Sequence, residues 1–272
     1  MAGIKLNLLG GFEATLDEVA PFVFDSDKDR ALFIYLVASP NYPIRRGSLA
    51  GLFWPEHPEV AARHSLCQAI YSLRKQFHNH FGADPFEVTP QTLLFRLEDP
   101  SGVDFYVFDQ LIQGFIQHWS DPDLTSKACL EKLEQACAIY RGDFCAGLSL
   151  KECDTFEEWL CLQREVYHLK FMRVLEMLIE GLCLVGDLEN ALFYAYKKVF
   201  QDPYNESSQR QVILLLTQLG QRKQAIEHFE NYQRVLTLEL HTSPSNEMII
   251  FCQELLSIQK PTGFPECGAG EK

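Results

Sequence analysis

The 272-residue chain lacks the features that mark membrane and exported proteins. It has no run of 18 or more apolar residues, so the sequence predicts no transmembrane helix. Its first residues, MAGIKLNLLGGFEATLD, have neither the basic start nor the long apolar core of a secretory signal peptide. A cytoplasmic protein is therefore expected.

The cysteines also lack any metal-binding or redox spacing. Nine are present, an odd number, and no two of them form a C-x-x-C pair. Five recur every eight residues between positions 129 and 161, a spacing that matches no metal motif. We expect them to be reduced and mostly buried as small apolar side chains, and the sequence predicts no metal site.

Common catalytic motifs are absent. The chain contains no G-x-x-x-x-G-K-[ST] phosphate loop, no H-E-x-x-H and no G-x-S-x-G. Its paired carboxylates, such as Glu157 and Glu158, fall on a predicted helix, where a solvated surface is the simpler interpretation. The sequence predicts no catalytic residue and no cofactor, and so it does not indicate an enzyme.

Charge is distributed unevenly along the chain. The net charge is −13 overall, but residues 1–98 carry 9 basic and 11 acidic residues, and residues 99–272 carry 15 and 26. The stretch 43–80 has 5 basic and 2 acidic residues and holds four of the eight histidines. A locally basic segment on an acidic chain is compatible with a DNA-facing surface of modest non-specific affinity.

That basic stretch contains a long amphipathic helix that begins near Pro58. At about 100° per residue, apolar side chains share one face and polar side chains share the opposite face. The apolar set is Leu66, Ala69, Ile70, Leu73 and Phe77, and the polar set is His64, Gln68, Tyr71, Ser72 and Lys75. Arg63, Cys67, Arg74 and His78 follow one flank. The polar face suits either DNA contact or ordinary solvation.

A shorter amphipathic helix is predicted just upstream, over residues 44–56. Its apolar side chains are Leu49, Leu52, Phe53 and Trp54, and Pro55 then forces a turn. Two helices joined by a tight turn, the second with a polar outer face, form a helix-turn-helix arrangement.

At this point the sequence resembles a known family. The segment LFWPEHPEVAARHSLCQAIYSLRK resembles the recognition segment of the bacterial antibiotic regulatory protein (SARP-type) family. These are transcriptional activators with an N-terminal winged helix and a C-terminal bacterial transcriptional activator domain. The resemblance implies double-stranded DNA as a partner, bound at promoter direct repeats by a homodimer in head-to-tail order. It also implies contact with RNA polymerase near its sigma subunit.

Helix geometry selects two groups of candidate DNA contacts. The base-contacting candidates are His64, Gln68 and Tyr71, and the phosphate-contacting candidates are Arg45, Arg46, Arg63, Arg74 and Lys75. The first two arginines lie at the N-terminus of the predicted shorter helix, where cations oppose the helix dipole. They are either tolerated surface residues or phosphate clamps. Cys67 stands where the family commonly has a basic residue, which removes one expected contact.

Short strands frame this segment. Residues 4–9, 12–16 and 21–24 are predicted strands, followed by a helix capped by Ser26. Residues 86–88 and 92–97 are predicted to form the wing, a hairpin around Thr89-Pro90-Gln91. The wing tip has no Lys or Arg, so whether it contacts DNA stays open.

The second half of the chain reads as helical repeats. After a predicted boundary at residues 98–103, Val103-Asp104-Phe105 and the YRGDF at 140–144 resemble the family's second domain. Residues 186–192 align with 220–226 at an offset of 34, the tetratricopeptide (TPR) period. We therefore predict an α+β winged helix-turn-helix domain over 1–98, an all-α TPR-like domain over 103–260, and a disordered tail over 261–272.

A second interpretation shares this fold but not its use. The acidic balance, the neutral wing tip and Cys67 favour a protein-interaction scaffold whose winged helix no longer binds DNA. A continuous basic stripe across residues 45–46 and 63–75 would favour DNA binding, and a broken one the scaffold.

Overall fold

A computed structural model describes residues 4–16, 20–21, 23–82, 84–117 and 124–257. Within these residues the chain is mostly helical, with ten α-helices and a small β region near the N-terminus. It divides into two compact units. Unit 1 comprises residues 1–122 and 131–174, and unit 2 comprises residues 123–130 and 175–272.

Two antiparallel three-stranded sheets account for the strands. The strands are β1 (Ile4–Asn7), β2 (Glu13–Leu16), β3 (Ala20–Pro21), β4 (Ile44–Arg45), β5 (Phe86–Val88) and β6 (Thr92–Phe95). The first sheet has the order β1-β2-β3 and the second the order β4-β6-β5. The helices are α1 (Asp27–Val37), α2 (Arg46–Phe53), α3 (Glu59–Phe81), α4 (Asp104–Gln117), α5 (Lys127–Ile139), α6 (Asp154–Leu184), α7 (Leu188–Gln201), α8 (Glu206–Gln218), α9 (Arg222–Val235) and α10 (Asn246–Ser257).

The first sheet is shorter than predicted. Strand β1 ends at Asn7 because the next two backbone N–H groups, of Leu8 and Leu9, donate to the Asp104 carboxylate at 2.8–2.9 Å. The third strand is Ala20–Pro21, and Phe22 of the predicted strand lies outside the described residues. Ser26 caps α1 as predicted, its hydroxyl accepting from the Asp29 N–H at 3.1 Å.

The predicted pair of helices is present with one change at its start. Ile44 and Arg45 form a strand against β6, and α2 starts only at Arg46. Helix α3 then runs for 23 residues after Pro58 and ends at Gly82, whose φ of 62° is favourable for glycine. Its five predicted inward side chains are all buried, between 0% and 5% exposed.

Aromatic packing places α3 against the elements around it. The Phe77 ring lies 5.1 Å from Phe33 of α1 and 5.2 Å from Phe86 of β5. Phe95 of β6 contacts both Phe33 and Phe86 at about the same separation, 5.4 and 5.5 Å. The hairpin β5–β6 and helix α1 therefore hold one face of α3 and leave the other face outward.

In the remainder of unit 1, the side chain of Arg164 holds the loop at residues 144–148. Arg164 of α6 donates to the carbonyl oxygens of Phe144, Cys145 and Leu148 at 2.8–3.2 Å. The sequence pattern predicts a helix over residues 108–119. Helix α4 begins four residues earlier, at Asp104, and Trp119 lies outside the described residues.

Unit 2 contains the repeat. Gly186 and Gly220 both have positive φ, 81° and 73°, at equivalent turns that precede α7 and α9. Ala191 and Ala225, also 34 residues apart, are fully buried, and small side chains here let neighbouring helices approach closely. The helical-repeat prediction is thus confirmed for the described residues. The predicted tail over 261–272 lies outside them.

The cysteines follow the expectation drawn from their spacing. Five of the eight that the structure describes are buried, and all eight are free thiols. Cys67 on α3 and Cys161 on α6 are the exposed ones in that set. Among the described residues, no cluster of three or more His, Cys, Asp or Glu side chains could hold a metal ion.

Candidate nucleic-acid interface

A basic cleft lies between the start of α2, helix α3 and the turn of the β5–β6 hairpin. Its volume is about 740 Å³, and Arg45, Arg46 and Arg63 line it together with Cys67 and Gln91. Three guanidinium groups around one open cleft make an electropositive surface suited to phosphate. Three of the five phosphate-contacting candidates are thus brought together.

Arg46 has structural partners within this cleft. Its guanidinium donates to the Thr89 carbonyl oxygen at 3.2 Å and to the Cys67 sulfur at 2.8 Å. Its backbone N–H donates to the Gln91 carbonyl oxygen at 2.9 Å. Arg46 therefore ties α2 to the hairpin turn and to α3, and a guanidinium with five N–H donors retains others for a phosphate.

Two other candidate arginines form ion pairs with nearby carboxylates. Arg63 lies 2.6 Å from Glu59, one helical turn earlier, and its side chain is 61% exposed. Arg74 contacts Asp84 at 2.5 Å, beyond the end of α3. Exposed pairs of this kind contribute little to stability, roughly 0–1 kcal/mol, so a phosphate can replace the carboxylate at small cost.

The base-contacting candidates lie together on the outward face of α3. His64, Gln68 and Tyr71 are exposed, and the Tyr71 side chain is 69% exposed. The Gln68 amide nitrogen lies 3.1 Å from the His64 ring nitrogen Nε2. This hydrogen bond orders two adjacent side chains before any ligand arrives.

An acidic edge that the sequence did not reveal borders the same face. The Asp25 carboxylate accepts from the Ser72 hydroxyl at 2.7 Å. Hydrogen bonds from Ser72 and Gln76 and the charge of Lys75 lower the pKa of Asp25. Asp29 is largely buried nearby, and burial raises the pKa of its carboxyl. Nothing in the local sequence pairs Asp25 with a helix 47 residues later.

The hairpin offers little positive charge. Arg96, its one basic residue, forms an ion pair with Glu87 on the neighbouring strand. The turn itself is closed by Thr89 and Thr92, whose hydroxyl groups lie 2.8 Å apart. The hairpin therefore shapes one wall of the basic cleft more than it adds charge to it.

Comparison with known proteins identifies the class. Residues 103–256, more than half of the chain, match the family model described as the bacterial transcriptional activator domain. The chain belongs to this family, and the resemblance noted in its sequence is confirmed. The match places the chain among transcription regulators of the activator type.

A solved structure shares the fold along almost the whole chain. It is Mycobacterium tuberculosis EmbR in complex with a low affinity phosphopeptide, with a TM-score of 0.69 and 19% sequence identity. The match covers 96% of the present chain and 66% of the EmbR chain. A comparison with curated proteins found no match. In the described part of the chain, no helix combines the length and apolar character needed to cross a membrane.

Proposed function

We propose that the chain is a sequence-specific DNA-binding activator whose residues 1–98 form a winged helix-turn-helix. Helix α3 is the recognition helix, α2 the helix before the turn, and the β5–β6 hairpin the wing. The observation that carries this proposal is the outward face of α3, which presents His64, Gln68 and Tyr71 beside the arginine cleft. A recognition helix in the major groove needs both chemistries, amide and imidazole groups for bases and guanidinium groups for phosphates.

The mode of action is proposed from the family resemblance. Two subunits bind promoter direct repeats in head-to-tail order as a homodimer on DNA, and they contact RNA polymerase near its sigma subunit. The regulator is cytoplasmic in this proposal and uses no cofactor. The wing's neutral tip and the Arg96–Glu87 pair indicate that the wing adds little phosphate binding.

Substitution of Gln68 and of Lys75 should weaken DNA binding in two different ways. Loss of a bidentate amide contact costs about 1–3 kcal/mol of base discrimination, so Gln68→Ala should relax preference at one base position. Lys75 lies two turns further along α3, where the helix leaves the groove. Lys75→Ala should weaken all duplexes about equally and reduce the salt slope by about one.

The test is a binding titration of each variant against the operator and its single-base variants at two salt concentrations. Both side chains are exposed, so stability should change by no more than about 0.5 kcal/mol, which thermal melting checks. A uniform loss for Gln68→Ala combined with altered base preference for Lys75→Ala would show that the helix docks differently.

The scaffold alternative also has specific observations in its favour. Arg63, Arg74 and Arg96 each face a carboxylate, and Asp25 lies near Lys75, so the basic surface is partly neutralised. A scaffold of this kind would bind no selected duplex at low salt. The three arginines of the cleft favour DNA binding, because Arg45, Arg46 and Arg63 converge on one open surface.

A further inference from the structure

One edge of the outward face of α3 carries arginines, and the other edge faces a carboxylate. At about 100° per residue, Ser72 lies roughly 160–180° around the helix from Arg74 and Arg63, with His64, Gln68 and Tyr71 between them. Arg63 belongs to the cleft beside the hairpin turn, whereas Ser72 holds Asp25. The proposed base-reading residues therefore lie between the arginine edge and the Asp25 carboxylate.

Asp25 is fixed in position by a directed chain of hydrogen bonds. The Gln76 side chain, 8% exposed, donates its amide to the Ser72 hydroxyl oxygen at 3.1 Å. Ser72 in turn donates its proton to Asp25 at 2.7 Å. These contacts lower the pKa of the Asp25 carboxyl, so Asp25 is a fixed negative charge at neutral pH.

This carboxylate influences two residues of the proposed interface. Lys75 attracts it electrostatically, one of the interactions that lower the Asp25 pKa. Gln68 lines the same groove as Asp25, a space of about 370 Å³ that Asp29 and Lys28 also line. A phosphate that approached Lys75 from this edge would meet the negative charge of Asp25, which already attracts the ammonium group.

We infer that Asp25 is a specificity-determining residue, which repels the DNA backbone from this edge of α3 and competes with phosphate for Lys75. The inference rests on the proposed function and adds to it a mechanism against non-specific binding. Non-specific DNA binding is almost wholly electrostatic, whereas operator binding also uses base contacts. A fixed carboxylate therefore weakens non-specific binding by a larger factor than it weakens operator binding. It also directs the DNA backbone towards the arginine cleft.

Asp25→Asn removes the charge and keeps a side-chain oxygen that accepts from Ser72. At low salt, this variant should bind random-sequence duplex about 3- to 10-fold more tightly than the wild type. Its affinity for the operator should rise by less, so the ratio of operator to random-sequence affinity falls. The salt slope should steepen by a fraction of one per subunit, because Lys75 no longer divides its attraction between Asp25 and a phosphate.

Asp27→Asn is the matched control. Asp27 lies two residues away, is 69% exposed and pairs with Arg30 at 2.7 Å, so its removal makes the same change in net charge. It should leave both affinities close to those of the wild type. In the double variant Asp25→Asn, Lys75→Ala, the increase in salt slope caused by Asp25→Asn should disappear.

The outcomes separate this inference from the function on which it rests. If the wild type binds DNA and Asp25→Asn leaves affinity unchanged, or if Asp27→Asn gives the same gain, the role of Asp25 is overturned and DNA binding stands. If the double variant Asp25→Asn, Lys75→Ala keeps the steeper salt slope, Asp25 does not compete with phosphate for Lys75. A wild type that binds no duplex at any salt concentration overturns the proposed function and this inference together.

Discussion

Asp104→Ala should lower the free energy of unfolding by about 3 kcal/mol, since two backbone N–H groups lose their acceptor. The carboxylate accepts from Leu8 and Leu9, and it also receives the Arg141 guanidinium at 3.1 Å. Its side chain is only 8% exposed, so water replaces these bonds poorly. Arg141 lies 3.5 Å from Glu13 as well, so its charge keeps a partner.

Urea unfolding followed by circular dichroism measures this loss. Asp104→Asn keeps one carbonyl acceptor and should lie between Asp104→Ala and the wild type. Glu98→Gln, at an exposed position nearby, should change stability by no more than about 0.5 kcal/mol. An Asp104→Ala protein with the wild-type midpoint would show that β1 and the start of α4 are held together by something else.

Phe156→Ala should cost about 3–5 kcal/mol, because the ring is fully buried and its removal leaves a cavity. Phe156 packs 5.1 Å from Phe53 of α2 and 5.5 Å from Trp159. Trp159 in turn lies 4.9 Å from Tyr35 of α1. Residues on both sides of the predicted boundary at 98–103 thus share one aromatic cluster in unit 1.

Amide hydrogen exchange reports whether that boundary also separates folding units. The shared cluster predicts that Phe156→Ala speeds exchange in α3 as well as in α6, because unit 1 opens as one. Phe193→Ala, at a position 62% exposed, is the control and should leave exchange in α3 unchanged. Faster exchange confined to α6 would show that residues 1–98 fold independently.

Local patterns were predicted from the sequence more successfully than distant partners. The inward stripe of α3 follows from a 3.6-residue period, and all five of its side chains are buried. The glycine and alanine positions of the repeat likewise follow from the 34-residue offset in the sequence. By contrast, the sequence predicted a helix at Ile44–Arg45, where pairing with Leu93 and Thr92 makes a strand. Such pairing depends on residues almost fifty positions away.

The candidate site shows the same division. Which residues of α3 face outward could be predicted, because helix geometry is local. The acceptors around them could not, since Asp25 reaches Ser72 and Thr89 reaches Arg46 only after the chain folds. The carboxylates that face Arg63 and Arg74 depend on side-chain positions that residue types alone do not fix.

The most direct measurement is selection of bound sequences from random duplex DNA, followed by titration of the full chain on the selected operator over a range of salt concentrations. We expect enrichment of a direct repeat. We also expect a log–log salt slope no steeper than about −4 to −5 per subunit, from the five basic candidates at roughly −0.9 for each phosphate neutralised. No enriched sequence, or an affinity that does not change with salt, would contradict the assignment of α3 and its arginine cleft as the DNA-binding surface.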